Sequence, residues 1–484
     1  MRNNTIAYTY SLLLAFIFIT LFSSSTSFLY SNVENLDADF FSVIGKYWTK
    51  NTLPYVDLWD HKGPIIYFYN ALGYWITNNR IGVFIIQVLS LSMSIFFTYK
   101  LFREEFDDKK TYLLVIFSLF GLANDYGTAG NCVEEYLLPL LSLAFYFMYK
   151  WVHKIDEKAN NHSYKYAFVY GLVLGFSLMT RMTNAIGVCG GILVIAIFLL
   201  LKGKYVNLLH NIFAFLLGVI VIILPFILYF YKYNALDEMI YGTLLFNFEY
   251  IQNAPELDPF SFNQKLYLIK SSVTVIVLFL VSILLFLRPD EKRQGMLWCM
   301  VAIISMSWLM TGNGFDHYFI ITFPYFAIAI NELYRLLKKD KETIIRRIAR
   351  FGSITYIIIL TILFSYSVYI AYKGIASDNN KLSFYSSIKK KYLQNTNSFV
   401  AYNVSPYIYL YLDLKPYCRF FAYQDDQISF GKTLRKKVID EYSTRKPLYI
   451  LVRGKETAIS DLLRSNYKIV NKYDGNIRLY SLIE

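Results

Sequence analysis

Hydrophobic residues in this chain come in long blocks, not in the short alternations of a soluble domain. Apolar runs approaching the ~20 residues that cross a bilayer as a helix recur at 7–29, 81–101, 111–124, 134–151, 165–181, 183–201, 207–231, 269–287, 294–311, 315–334 and 351–372. The pattern predicts eleven membrane helices. One further apolar stretch, 64–78, is too short to span comfortably. If it crossed, every later loop would change sides, so it is expected to lie on the membrane surface as an interfacial helix. The first run follows Arg2 and ends at Ser23-Ser24-Ser25, as a signal peptide would. Its apolar core is longer than most such peptides carry, and it reads as an anchor.

From about Ala376 the pattern changes. Phe399-Val400-Ala401-Tyr402-Asn403 and Leu448-Tyr449-Ile450-Leu451-Val452 are short and rich in β-branched or aromatic residues, as strands are, with helix-like stretches such as 457–464 around them. The predicted fold is a polytopic α-helical membrane protein of about eleven spans with a small C-terminal α/β extracytoplasmic domain. The expected division is a membrane domain over 1–373, with a first outer loop at 30–80, and a soluble domain over 374–484. There is no long-period repeat and no low-complexity segment.

Composition agrees. At 56% hydrophobic and 17% charged, the chain is too apolar for an ordinary soluble protein. The net charge of +13 raises the question of nucleic acid, and its distribution answers it. With the N-terminus inside, inner segments carry 21 Lys or Arg and outer segments up to residue 270 carry 8, which is the positive-inside asymmetry and fixes that orientation. The run from Arg335 to Arg350 then reads as a loop facing lipid headgroups. The four cysteines, Cys132, Cys189, Cys299 and Cys418, have neither metal-ligand spacing nor an obvious pairing.

Sorting polar residues by side gathers an unusual set on the outer face. Asp37 and Asp39 come first, then Asp60-His61-Lys62, then Asn124-Asp125, and Asn131 running into Glu134-Glu135-Tyr136. Arg181 with Asn184 and Gly312-Asn313-Gly314-Phe315-Asp316-His317-Tyr318 follow. Ionisable groups beside hydrocarbon are costly and by default mark function. Cations can neutralise a phosphate leaving group, and a carboxylate can take a proton from an attacking hydroxyl.

At these residues the chain resembles the GT-C superfamily of integral-membrane glycosyltransferases, nearest the bacterial branch related to protein mannosyltransferases and aminoarabinose transferases. The likeness rests on Asp37 with Phe41 and Gly45, on Pro54-Tyr55-Val56-Asp57 and on Asp60-His61-Lys62-Gly63-Pro64. Gly130-Asn131-Cys132-Val133-Glu134-Glu135-Tyr136, Arg181-Met182-Thr183-Asn184 and His317-Tyr318 ahead of Pro324 add to it. The resemblance implies a transferase that takes a sugar from a polyprenyl-phosphate donor in the bacterial cytoplasmic membrane. The acceptor would be a lipid, glycan or protein. Asp37 would be the general base, or would position acceptor or metal if the acceptor is itself a phosphate.

Lys62, Arg181 and His317 are the candidates for the donor phosphate, with Asp39, Asp60, His61, Asn131, Tyr136 and Tyr318 in support. Several have plainer readings. Lys62 and Arg181 could snorkel to headgroups, His317 could be a turn residue, and Asp60 could cap the helix that Pro64 begins. Glu134 and Glu135 either favour a helix N-terminus or are catalytic with Asp37, one of them as a second acceptor-side carboxylate or, with Asp37, as an oxygen ligand for a divalent cation such as magnesium or manganese. A transporter or flippase of lipid-linked sugars is the rival, but it would place its ionisable residues near the midplane of repeated halves. A non-catalytic scaffold would not need the charged first loop.

Overall fold

The computed structural model describes residues 2–31, 34–126, 130–154, 160–253, 272–309, 315–339, 343–376, 381–454, 457–473 and 476–483. The chain opens with α1 (Arg2–Phe22), α2 (Leu36–Trp48) and α3 (Pro64–Thr77). It continues through α4 (Arg80–Phe102), α5 (Asp108–Tyr126), α6 (Val133–Lys154), α7 (Tyr164–Leu178), α8 (Ile186–Leu201) and α9 (Tyr205–Lys232). Further helices cover Val273–Phe286, Lys292–Leu309, Phe323–Lys339 and Thr343–Ile375, so each of the eleven predicted spans carries a helix. Six helical stretches among the described residues are long and apolar enough to cross a membrane: Asn4–Phe22, Arg80–Phe102, Met182–Leu201, Tyr205–Lys232, Asp316–Lys339 and Phe351–Ile375.

Two boundaries differ from expectation. α1 stops at Phe22, short of residue 29, because a run of hydroxyl residues follows it. Such side chains offer the backbone local alternatives to the helix, and the Ser27 hydroxyl takes the Leu29 N–H at 3.2 Å. The basic stretch 335–350, expected as a loop, is helical up to Lys339 and again from Thr343. Lys and Arg are good helix formers, and cations suit the C-terminal end of a helix. Arg335 there donates to Glu105 at 2.9 Å and Lys339 pairs with Glu291.

The described residues group into two units. The first comprises 1–23, 85–225 and 257–373. Its helices approach closely where side chains are smallest. A Cβ on Gly171 of α7 would lie 2.0 Å from the Phe215 carbonyl of α9, and one on Gly218 would lie 2.2 Å from the Phe168 carbonyl. Small residues let membrane helices pack backbone to backbone. One buried carboxyl in this unit, Glu332, receives the Trp298 indole N–H at 2.8 Å and sits 2.6 Å from His153.

The second unit comprises 24–84, 226–256 and 374–484. Its sheet has the strand order β1-β2-β4-β3, from Phe399–Tyr402, Tyr449–Arg453, Tyr467–Tyr473 and Ile477–Leu482. β1 and β2 are parallel, with Val400 opposite Ile450, and the other two pairings are antiparallel. Val400, Ile450, Leu434 and Val438 form a core that also takes in Trp59 from the first loop and Phe246 from the helix Phe246–Asn253. Burial stabilises by about 1.5–3 kcal/mol for each such large apolar side chain. The first loop therefore belongs to the core of the tail. α2 also packs along α3, where a Cβ on Gly45 would lie 2.4 Å from that of Asn70.

Candidate functional site

The start of α2 explains how its two aspartates differ. Asn35 caps the helix, its side chain accepting the Ala38 N–H at 3.4 Å. Asp37, in the first turn, is half-buried and makes no hydrogen bond or ion pair among the described residues. Asp39 is buried, and its Oδ2 accepts the Asn35 N–H at 2.8 Å and the Ser405 hydroxyl at 3.1 Å. Burial pushes its carboxyl well above the usual range, against those two bonds. Asp39 is thus a fixed structural group and Asp37 an available one.

In the same unit, the turn before α3 holds Asp60, His61 and Lys62 in line. His61 Nδ1 is 3.3 Å from Asp60 Oδ1, and its Nε2 is 3.0 Å from the Lys62 ammonium. The Tyr67 hydroxyl donates to Asp60 at 2.8 Å and accepts the Lys62 N–H at 3.1 Å. Tyr55 donates to the Lys62 carbonyl at 2.7 Å, and Asn247 to that of His61 at 3.0 Å. Tyr250 stacks on the His61 ring, with centroids 5.8 Å apart. Burial raises the Asp60 carboxyl, but His61 and Lys62 outweigh it and hold the group below its ordinary value. Pro64 is the first helical residue of α3, as its fixed φ suits, with Gly63 as the cap.

The remaining candidates lie in the first unit. Glu134, buried at the start of α6, accepts from Arg181 at 3.3 Å and from the Asn184 amide at 3.2 Å. The Arg181 guanidinium carbon lies over the Tyr318 ring, 3.2 Å from its centre, a cation–π contact. His317 adjoins the same ring, with centroids 4.7 Å apart. Glu135 reaches back to the Cys132 N–H at 2.8 Å, the reciprocal half of a helix cap. Its other oxygen receives Tyr126 at 2.6 Å and Gln87 at 2.7 Å. Asn131, at φ +56°, accepts the Tyr136 hydroxyl at 2.7 Å. Residues 312–314 lie outside the described residues.

The structure therefore joins Asp60 with His61 and Lys62, Glu134 with Arg181, Tyr318 and His317, and Asn131 with Tyr136. Among the described residues no group of three or more His, Cys, Asp or Glu is gathered to hold a metal ion. Sequence reasoning missed Gln87, although a lone amide inside an apolar span is a signal. It also missed Tyr67, Tyr126 and Ser405; a tyrosine carries no signal of its own in a chain with 44 of them, and neither does a lone serine.

Comparison with known proteins adds the missing context. The family model of dolichyl-phosphate-mannose-protein mannosyltransferases matches residues 61–230. No curated protein matches the chain significantly. Among solved structures, ArnT from Cupriavidus metallidurans bound to undecaprenyl phosphate matches with a TM-score of 0.62 at 12% identity, over 99% of this chain and 98% of that one. Its apo form matches with the same TM-score and coverage at 13% identity. The chain thus shares the fold of ArnT along nearly its whole length, and the mannosyltransferase family model matches within that shared fold.

Proposed function

We propose that the chain moves a sugar from a polyprenyl-phosphate carrier to a lipid, glycan or protein acceptor at the outer face of a bacterial cytoplasmic membrane. The observation that carries this reading is the fold shared with a protein seen holding undecaprenyl phosphate. Asp37, unengaged at the start of α2, is the base. Its carboxylate takes the proton of an acceptor hydroxyl as that oxygen attacks the anomeric carbon. The bond from carbon to phosphate oxygen breaks, the carrier phosphate leaves with the electron pair, and the carbon inverts.

Lys62, Arg181 and His317 remain the candidates for binding that phosphate, where a cation would neutralise the growing charge. Asp60 and His61 restrain the Lys62 ammonium, while Glu134 and Tyr318 hold the Arg181 guanidinium. Glu135, Asn131 and Tyr136 shape the start of α6. The positive-inside asymmetry supports an inner N-terminus and an outer domain over 374–484.

The test is label transfer from a panel of radiolabelled polyprenyl-phosphate sugars into other material in native membranes. Wild type is compared with Asp37→Asn at matched expression. Transfer by wild type that falls on the order of a hundredfold or more in the variant is the expected result. Equal transfer in both would remove Asp37 from the chemistry.

A further inference from the structure

α2 docks on the tail along its length. At its start Asp39 receives the Ser405 hydroxyl, in its middle Phe40 packs edge-on against Phe421 with centroids 5.1 Å apart, and near its end Lys46 meets Asp413 at 2.6 Å. Ser405 sits just past the carboxyl end of β1, and the region beyond the carboxyl ends of parallel strands is where α/β folds commonly place working residues. It is buried, and its oxygen accepts the Tyr407 N–H at 3.2 Å. That bond occupies the oxygen and leaves the hydroxyl proton for Asp39. Asp39 in turn holds the Asn35 N–H at 2.8 Å, so one carboxyl oxygen ties the tail to the capping residue of α2. Asp37 lies between those two anchors in the chain.

We propose that Ser405 is a positioning residue for the transfer reaction, acting through Asp39 to fix the first turn of α2 and with it the direction of the Asp37 carboxylate. This rests on the reading of Asp37 as the base. It gives the C-terminal segment a part in the chemistry as well as in stability. A carboxylate displaced by about an ångström from its line of attack can cost roughly a hundredfold in rate. Loss of one of the two anchors is expected to lower kcat by roughly ten- to a hundredfold with little change in donor KM.

The experiment compares Ser405→Ala, Ser405→Thr and Lys46→Met in the full-length protein. Hydrogen exchange is followed at the amides of residues 38–42, and label transfer in native membranes. Lys46→Met breaks the contact at the far end of α2 and serves as the purely structural control.

The proposal expects faster exchange and a lower kcat in Ser405→Ala, recovery of both in Ser405→Thr, and lost thermal stability with unchanged kcat in Lys46→Met. It also expects Ser405→Ala to cost nothing further once Asp37→Asn is present. Unchanged exchange in Ser405→Ala overturns the proposal whatever the activity, as does a kcat loss equal to that of Lys46→Met. Full transfer by Asp37→Asn alone would instead overturn the underlying assignment of the base.

Discussion

Asp39 and Asp60 are both buried carboxyls, yet their surroundings drive them in opposite directions. Asp60 faces His61 and Lys62 and lies below its ordinary value of 3.8, so its contribution to stability is full above that value and is lost as pH falls through the folded one. Asp39 is raised above 3.8 by burial, so its contribution is full below that value and is lost as pH rises through the folded one. Thermal melting in detergent should show Asp39→Asn gaining on wild type as pH rises above about 4. Asp60→Asn should lose to wild type at about pH 6, with the gap closing below about pH 4. Parallel curves for both variants would refute the assignment. At this scale the sequence marked the groups that could act but not what restrains them. Asp37 and Asp60-His61-Lys62 stand out because charge beside an apolar run is rare. Ser405 and Tyr67 are ordinary residues made consequential only by where the chain brings them.

Among the elements, the membrane helices were the most legible, since a length of about 20 apolar residues admits few other structures. Their ends were less so. The stop of α1 at Phe22 follows from hydroxyl chemistry inside an otherwise apolar run, and the helical basic stretch shows that charge marks the side of a membrane without marking a loop. The packing of α2 was not legible at all, because Asp39 meets Ser405 across 366 residues. The contact of α7 with α9 offers a direct check. Gly171→Leu places a side chain where even a Cβ comes within 2.0 Å of the Phe215 carbonyl. The cost is expected to be about 1–3 kcal/mol, seen as a lower melting temperature and reduced yield of monodisperse protein. A variant as stable as wild type would show that the two helices can separate freely.

For the molecule as a whole, the division at residue 373 that composition suggests cuts across one of the two structural units. Trp59 and Phe246 lie in the same core as the tail residues Val400 and Ile450. A chain ending at 373 is therefore expected to lose protease resistance within 30–80 while keeping it in α4 to α8. Limited proteolysis with mass mapping decides this, and undiminished protection of the first loop would refute it. The composition of the tail announced strands and a change of environment. It gave no sign that the strands would enclose a tryptophan made far earlier.

That separation also sets a clock on biogenesis. Asp39 leaves the ribosome 366 residues before the hydroxyl it bonds, a wait of about 20–70 s at ~5–20 residues per second. Throughout that interval the first loop is a nascent segment without its partner, open to chaperones and proteases. If Ser405 positions Asp37 as proposed, a product terminated before residue 405 would carry the first loop and its aspartates yet transfer no sugar.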